Sequence, residues 1–218
     1  MTATRCQHAR KPGQWGRFVR LHLQARSTPM FVAGLVVVAL LAWATAHWLV
    51  TREWSTGAAD ERWPVPALAP MLGAVLASAG LAGADEELER TAAVPWRRIR
   101  ATHIVLATAA AGLPLVLTGL WAPQTYGAFE LGRNTVACVG MVALSSVVLG
   151  ARLAWAPVVA YAVVVLTAAP RDPETGWWTW PLQPWSADLA AWTALALFVA
   201  SMTVYARCGA RPSRDPDA

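Results

Sequence analysis

Residues 134–169 read NTVACVGMVALSSVVLGARLAWAPVVAYAVVVLTAA, a stretch in which Arg152 is the one charged side chain. As a single helix it would extend about 54 Å, against about 30 Å of hydrocarbon in a bilayer. A tight hairpin near Gly150-Ala151-Arg152, with Pro157 just beyond, divides it into two crossings instead. The two-residue alternation of a membrane barrel is denied by Val163-Val164-Val165-Leu166 and by Val36-Val37-Val38-Ala39-Leu40-Leu41. An open strand in lipid would leave backbone groups unpaired, so both halves are read as helices.

The same reading extends along the chain. Apolar runs near 20 residues occur at Met30–Val50, Val65–Gly83, Ala101–Ala122, Asn134–Gly150, Leu153–Ala169 and Ala187–Ala206, uncharged but for Asp188 at the edge of the last. The expected fold is therefore all-α: a polytopic membrane protein with six transmembrane helices. It divides into a cytoplasmic basic leader (1–29), a six-helix transmembrane domain (30–206) and a cytoplasmic tail (207–218). The average composition agrees, with 56% hydrophobic and 14% charged residues and a mean hydropathy of +0.39, too apolar for a soluble chain to cover itself with polar surface.

Lys and Arg set the orientation. With the N-terminus inside, the inner segments hold Arg5, Arg10, Lys11, Arg17, Arg20, Arg26, Arg90, Arg97, Arg98, Arg100, Arg152, Arg207, Arg211 and Arg214. The outer ones hold Arg52, Arg62, Arg133 and Arg171, so both termini are expected in the cytoplasm. Ala44-Thr45-Ala46 resembles a signal cleavage site, but the basic leader is long and the apolar run continues through Trp48-Leu49-Val50, which reads as an uncleaved helix. The net charge of +5 is spread over span ends rather than gathered with aromatics on a soluble face, which argues against nucleic acid as a partner. The partner that the pattern does indicate is the lipid bilayer of the cell membrane.

Three segments outside the spans carry their own signals. From Gln14 to Ser27, Trp15, Phe18, Val19 and Leu23 share one helical side and Arg17, Arg20 and Gln24 another, as in an amphipathic helix lying in the interface. The loop Pro170–Ser186 holds Trp177, Trp178, Trp180 and Trp185 among four prolines. Interface anchoring accounts for such indoles, and a partly re-entrant cap is the sharper alternative. In the second span, Gly73 with Ala77, and Ala74 with Ser78 and Ala82, would let a neighbouring helix come close, within the chain or between copies.

Chemistry-bearing patterns are sparse. Inside the edge residue Asp188, the six cores hold no acid or base apart from His47 and His103 near helix ends, where a neutral imidazole facing water or headgroups fits better than a proton relay. There is no H-E-x-x-H, G-x-S-x-G or P-loop, and Ser145-Ser146 has no nearby His; bonds back to helix carbonyls are expected there. Cys6, Cys138 and Cys208 have no disulfide or metal spacing. No catalytic residue, metal ligand or cofactor of its own is expected, and the chain is not read as an enzyme.

The most informative loop is Asp85-Glu86-Glu87-Leu88-Glu89-Arg90-Thr91-Ala92-Ala93-Val94-Pro95-Trp96-Arg97-Arg98-Ile99-Arg100. Acids come first, near the positive end of any short helix there, and arginines follow Pro95 into the third span. Leu88-Glu89, Pro95 six positions after the Glu, and Arg97-Arg98 resemble the coupling loop of ABC transporter permeases of the type-two exporter class. Six spans, an amphipathic leader and a tight turn between spans four and five are also similar to that family. Glu86-Glu87 stand where the family usually has Gly-Thr.

The resemblance implies that Glu86, Glu87, Leu88, Glu89, Pro95, Arg97 and Arg98 receive movement from a separate ATP-binding subunit. It also implies a homo- or heterodimer of permeases that binds no ATP itself. The alternative is a stand-alone integral membrane protein with a binding, immunity or structural role and no ATPase.

Overall fold

The computed structural model describes residues 28–51, 65–81, 95–121, 127–169 and 176–211. Those residues form helices α1 (Thr28–Thr51), α2 (Val65–Ser78), α3 (Trp96–Trp121), α4 (Ala128–Leu149), α5 (Ala156–Ala168) and α6 (Asp188–Cys208). Two 3-10 turns, Ala151–Leu153 and Trp177–Leu182, precede α5 and α6. No strand occurs among the described residues.

Four helical segments are long and apolar enough to cross a membrane: Trp96–Trp121, Ala128–Leu149, Ala151–Ala168 and Asp188–Cys208. Phe31–Thr45 within α1 and Val65–Ser78 are shorter apolar helices. Leucines, valines and tryptophans stand exposed along α1, α3, α5 and α6, as in a bundle whose outer surface meets lipid.

Helix α4 runs through the middle. It packs most extensively on α6, α2 and α3, and Leu131, Ala137, Val139, Val142 and Ala143 along it are fully or almost fully buried. Its approach to α6 depends on Gly140, where an added Cβ would lie 3.0 Å from Phe198 Cα. Gly73 similarly faces Ala111 of α3, and Ala74, Ala77 and Ser78 are buried with it. These four small residues of α2 are thus spent on packing within the chain, and Ala82 lies outside the described residues.

Contacts between helix ends show neighbours running antiparallel. Gly34 near the start of α1 meets Leu76 near the end of α2, and Gly119 near the end of α3 meets Ala128 at the start of α4. At one end, Tyr205 Oη donates to Leu81 O at 3.2 Å and Arg211 N donates to Ser146 O at 2.9 Å. Arg97, Arg98, Arg100, Arg152, Arg207 and Arg211 collect there. The opposite end holds Pro66, the start of α4 and the turn Trp177–Leu182.

Three boundaries depart from the sequence reading. α4 starts at Ala128 rather than Asn134, because Glu130 reaches back to the Gly127 N–H and caps the first turn. Arg133, expected in an outer loop, is therefore a helix residue. α3 starts directly after Pro95, so Arg97, Arg98 and Arg100 are helical. α2 ends at Ser78, followed by turn bonds from Gly80 N to Ala77 O and Leu81 N to Ser78 O. The hairpin does fall where the sequence puts it: α4 ends at Leu149, the backbone turns at Gly150 with φ 85°, and the 3-10 turn carries Arg152. The leader helix Gln14–Ser27 lies outside the described residues.

Candidate functional site

The start of α4 holds the densest polar cluster among the described residues, and it is built to hold the tryptophan-rich turn. Glu130, Arg133 and Asn134 lie three and four residues apart, so they share one side of the helix. Arg133 is only 6% exposed. Its Nη2 donates to Trp180 O at 2.8 Å and Gln183 O at 2.7 Å, its Nη1 to Pro184 O at 3.2 Å, and its Nε to Asn134 Oδ1 at 3.1 Å. Glu130 Oε1 accepts from Trp185 N at 3.0 Å, which adds a carboxylate beside the guanidinium.

Asn134, fully buried, solves a problem created by prolines. Its Nδ2 donates to Pro66 O at 2.6 Å and to Pro181 O at 2.8 Å. The helical donor for Pro66 O would be the N–H of residue 70, and residue 70 is Pro70. The 3-10 donor for Pro181 O would be the N–H of residue 184, and residue 184 is Pro184. Proline has no N–H, so each carbonyl loses its regular partner, and one side-chain amide supplies both.

The turn is tied within itself as well. Gly176 O accepts from Thr179 N, Thr179 Oγ1 and Gln183 Nε2. Tyr161 Oη donates to Trp178 O, and the Tyr161 and Trp180 rings stack at 5.9 Å. Residues 177–182 consequently sit against α2, α5 and α6 rather than beside the bundle.

The four tryptophans of this loop divide accordingly. Trp177 is 74% and Trp185 71% exposed, so both indoles are available to an interface. Trp180 is 4% exposed and belongs to the central core with Met71, Cys138 and Val158. Trp178 is half-buried. Trp15 lies outside the described residues.

Replacing Asn134 with leucine is expected to cost about 2–4 kcal/mol, since two buried carbonyls lose their donor. In a Pro70→Ala background the cost should shrink, because the restored residue-70 N–H would serve Pro66 O. A double-mutant cycle on thermal unfolding checks this, and a purely additive result would contradict the assignment.

At the opposite end, Pro95, Arg97 and Arg98 are exposed at the start of α3. Glu86, Glu87, Leu88 and Glu89 lie outside the described residues, so the two halves of the expected coupling loop are not seen together. Ser146 Oγ donates back to Ala143 O at 2.7 Å, as expected of a helix serine with no nearby His. His47 stacks on Trp43 at 5.6 Å at an exposed position, whereas His103 packs toward Gly80 between α3 and α2. Among the described residues, no three His, Cys, Asp or Glu side chains converge as a metal site would require.

In the sequence Arg133 reads as an outer-loop charge and Asn134 as the first residue of the fourth span, because the uncharged run begins directly after Arg133. The available signal was Glu130-x-x-Arg133-Asn134 opening an apolar helix, in a chain that also has a loop with more carbonyls than N–H groups. Comparison with protein-family models, with curated proteins and with solved structures finds no match to this chain.

Proposed function

We propose that the chain is the membrane-spanning permease subunit of an ATP-driven ABC exporter. In this reading α1 to α6 all cross the cell membrane, both termini are cytoplasmic, and a separate ATPase acts through the loop 84–100. The observation that carries the reading is the order Leu88-Glu89, Pro95, Arg97-Arg98 leading straight into a long apolar helix.

Charge supports the orientation. Among the described residues, six arginines gather at the end where α3 begins, while the other end holds Arg133, Glu130 and Asp188. The packing bears on the route of a substrate. Because α4 fills the centre of the bundle, a path through one copy would have to displace Leu131, Val139 and Val142. The path accordingly runs between two permease copies, along their surfaces. The uncharged helix faces favour amphipathic or hydrophobic cargo over a small ion.

Purification from native membranes tests the proposal. A nucleotide-binding subunit is expected to copurify, and Glu89→Ala with Arg97→Ala is expected to remove most of it and abolish ATP-dependent transport. Recovery of the chain without any ATPase, with function intact in both variants, would overturn the reading in favour of a stand-alone membrane protein.

A further inference from the structure

The arginine end carries a surface that the exporter reading does not use. Gly209 ends α6 with φ 74°, and a Cβ there would lie 2.7 Å from Arg100 Cζ, so the Arg100 guanidinium lies across the end of α6. Two residues further on, Arg211 Nη1 donates to Val148 O at 3.1 Å, and its carbonyl sits against Gly150 at the hairpin. These contacts place Arg100 and Arg211 where α3, α4 and α6 meet, and Arg152 and Arg207 stand two residues along the chain from Gly150 and Gly209 at the same junction.

The described acids, Glu130 and Asp188, both stand at the far end. Arg152 and Arg207 are exposed, and neither guanidinium bonds to another described residue. Apolar side chains flank the patch: Val148, Leu149, Leu153 and Trp155 are all exposed, and Trp155 Nε1 donates to Arg152 O at 3.1 Å.

We infer that this junction is a binding site for an anionic phospholipid, with the headgroup phosphate on Arg152 and Arg207 and an acyl chain along Val148, Leu149 and Leu153. Guanidinium groups pair with phosphate oxygens through two parallel N–H donors. The adjoining apolar strip selects a lipid over a free phosphate, which would gain nothing from it. The proposal goes beyond the exporter reading and stands without it.

Native mass spectrometry of the full chain, released from micelles holding equal phosphatidylglycerol and phosphatidylcholine, tests the site. Each arginine near a charged headgroup is worth about fivefold in binding, so retained phosphatidylglycerol should exceed phosphatidylcholine by on the order of tenfold or more. Arg152→Gln with Arg207→Gln should bring the ratio near one, while Arg17→Gln with Arg20→Gln in the leader should leave it high. Equal retention of the two lipids overturns the site. So does enrichment that survives the first pair or is lost only with the second. Displacement by inorganic phosphate, but not by sodium chloride of equal ionic strength, would assign the arginines to a free anion instead.

Discussion

Arg133→Met is expected to release the turn Trp177–Leu182 from α4 and to lower stability by about 2–4 kcal/mol, because hydrogen bonds from a charged donor are worth more than neutral ones and buried carbonyls lose a partner. Four hydrogen bonds disappear together. Methionine keeps most of the aliphatic stem, so the loss reports on bonding rather than on a cavity. Trp180 O and Pro184 O would retain backbone donors from Gln183 N and Ala187 N, which keeps the turn itself intact while it comes free of the helix. Arg133→Lys should fall between, because an ammonium cannot reach three carbonyls and an amide oxygen in one planar fork. Hydrogen exchange over residues 176–187 is the readout. It should quicken strongly in the methionine variant, and unchanged exchange would show that the cap is held by apolar packing alone.

Gly140→Val should have the other large effect, through sterics rather than polarity. The new Cβ would press on Phe198 Cα at 3.0 Å and Phe198 N at 3.4 Å, and backbone cannot swing aside as a side chain can. The central pair α4 and α6 must then separate, at a cost of about 3 kcal/mol, the upper part of the range for overpacking. Thermal unfolding in detergent should show a fall of several degrees. A variant as stable as the parent would mean that α6 shifts along α4 without penalty. Gly140→Ala, with a single methyl, is expected to cost less.

The two effects mark what the sequence makes legible. Long uncharged runs announce helices because lipid leaves the backbone no other choice, and the hairpin follows from length, with Gly150, Arg152 and Pro157 marking its place. Helix starts were less legible. The span rule stops at a charge, yet Arg133 lies about 8 Å inside α4, counted from Ala128 at the helical rise. Its counterpart is a set of backbone carbonyls, which have no signature in side-chain identity. Pro70 and Pro184 do mark the two carbonyls that Asn134 serves, but only the folded chain shows that both fall within reach of one amide. Trp180 makes the same point: its sequence neighbours Trp177 and Trp185 face outward, while a 3-10 turn rotates Trp180 into the core.

The lipid-binding junction and the exporter reading share one premise, that the two ends of the bundle lie on opposite sides of a membrane. Labelling with a membrane-impermeant maleimide tests it most directly. In a chain with Cys6 and Cys208 replaced by serine, Trp185→Cys should label in intact cells, and Arg98→Cys should label only after the membrane is opened. Labelling of both positions from the same side would contradict the account.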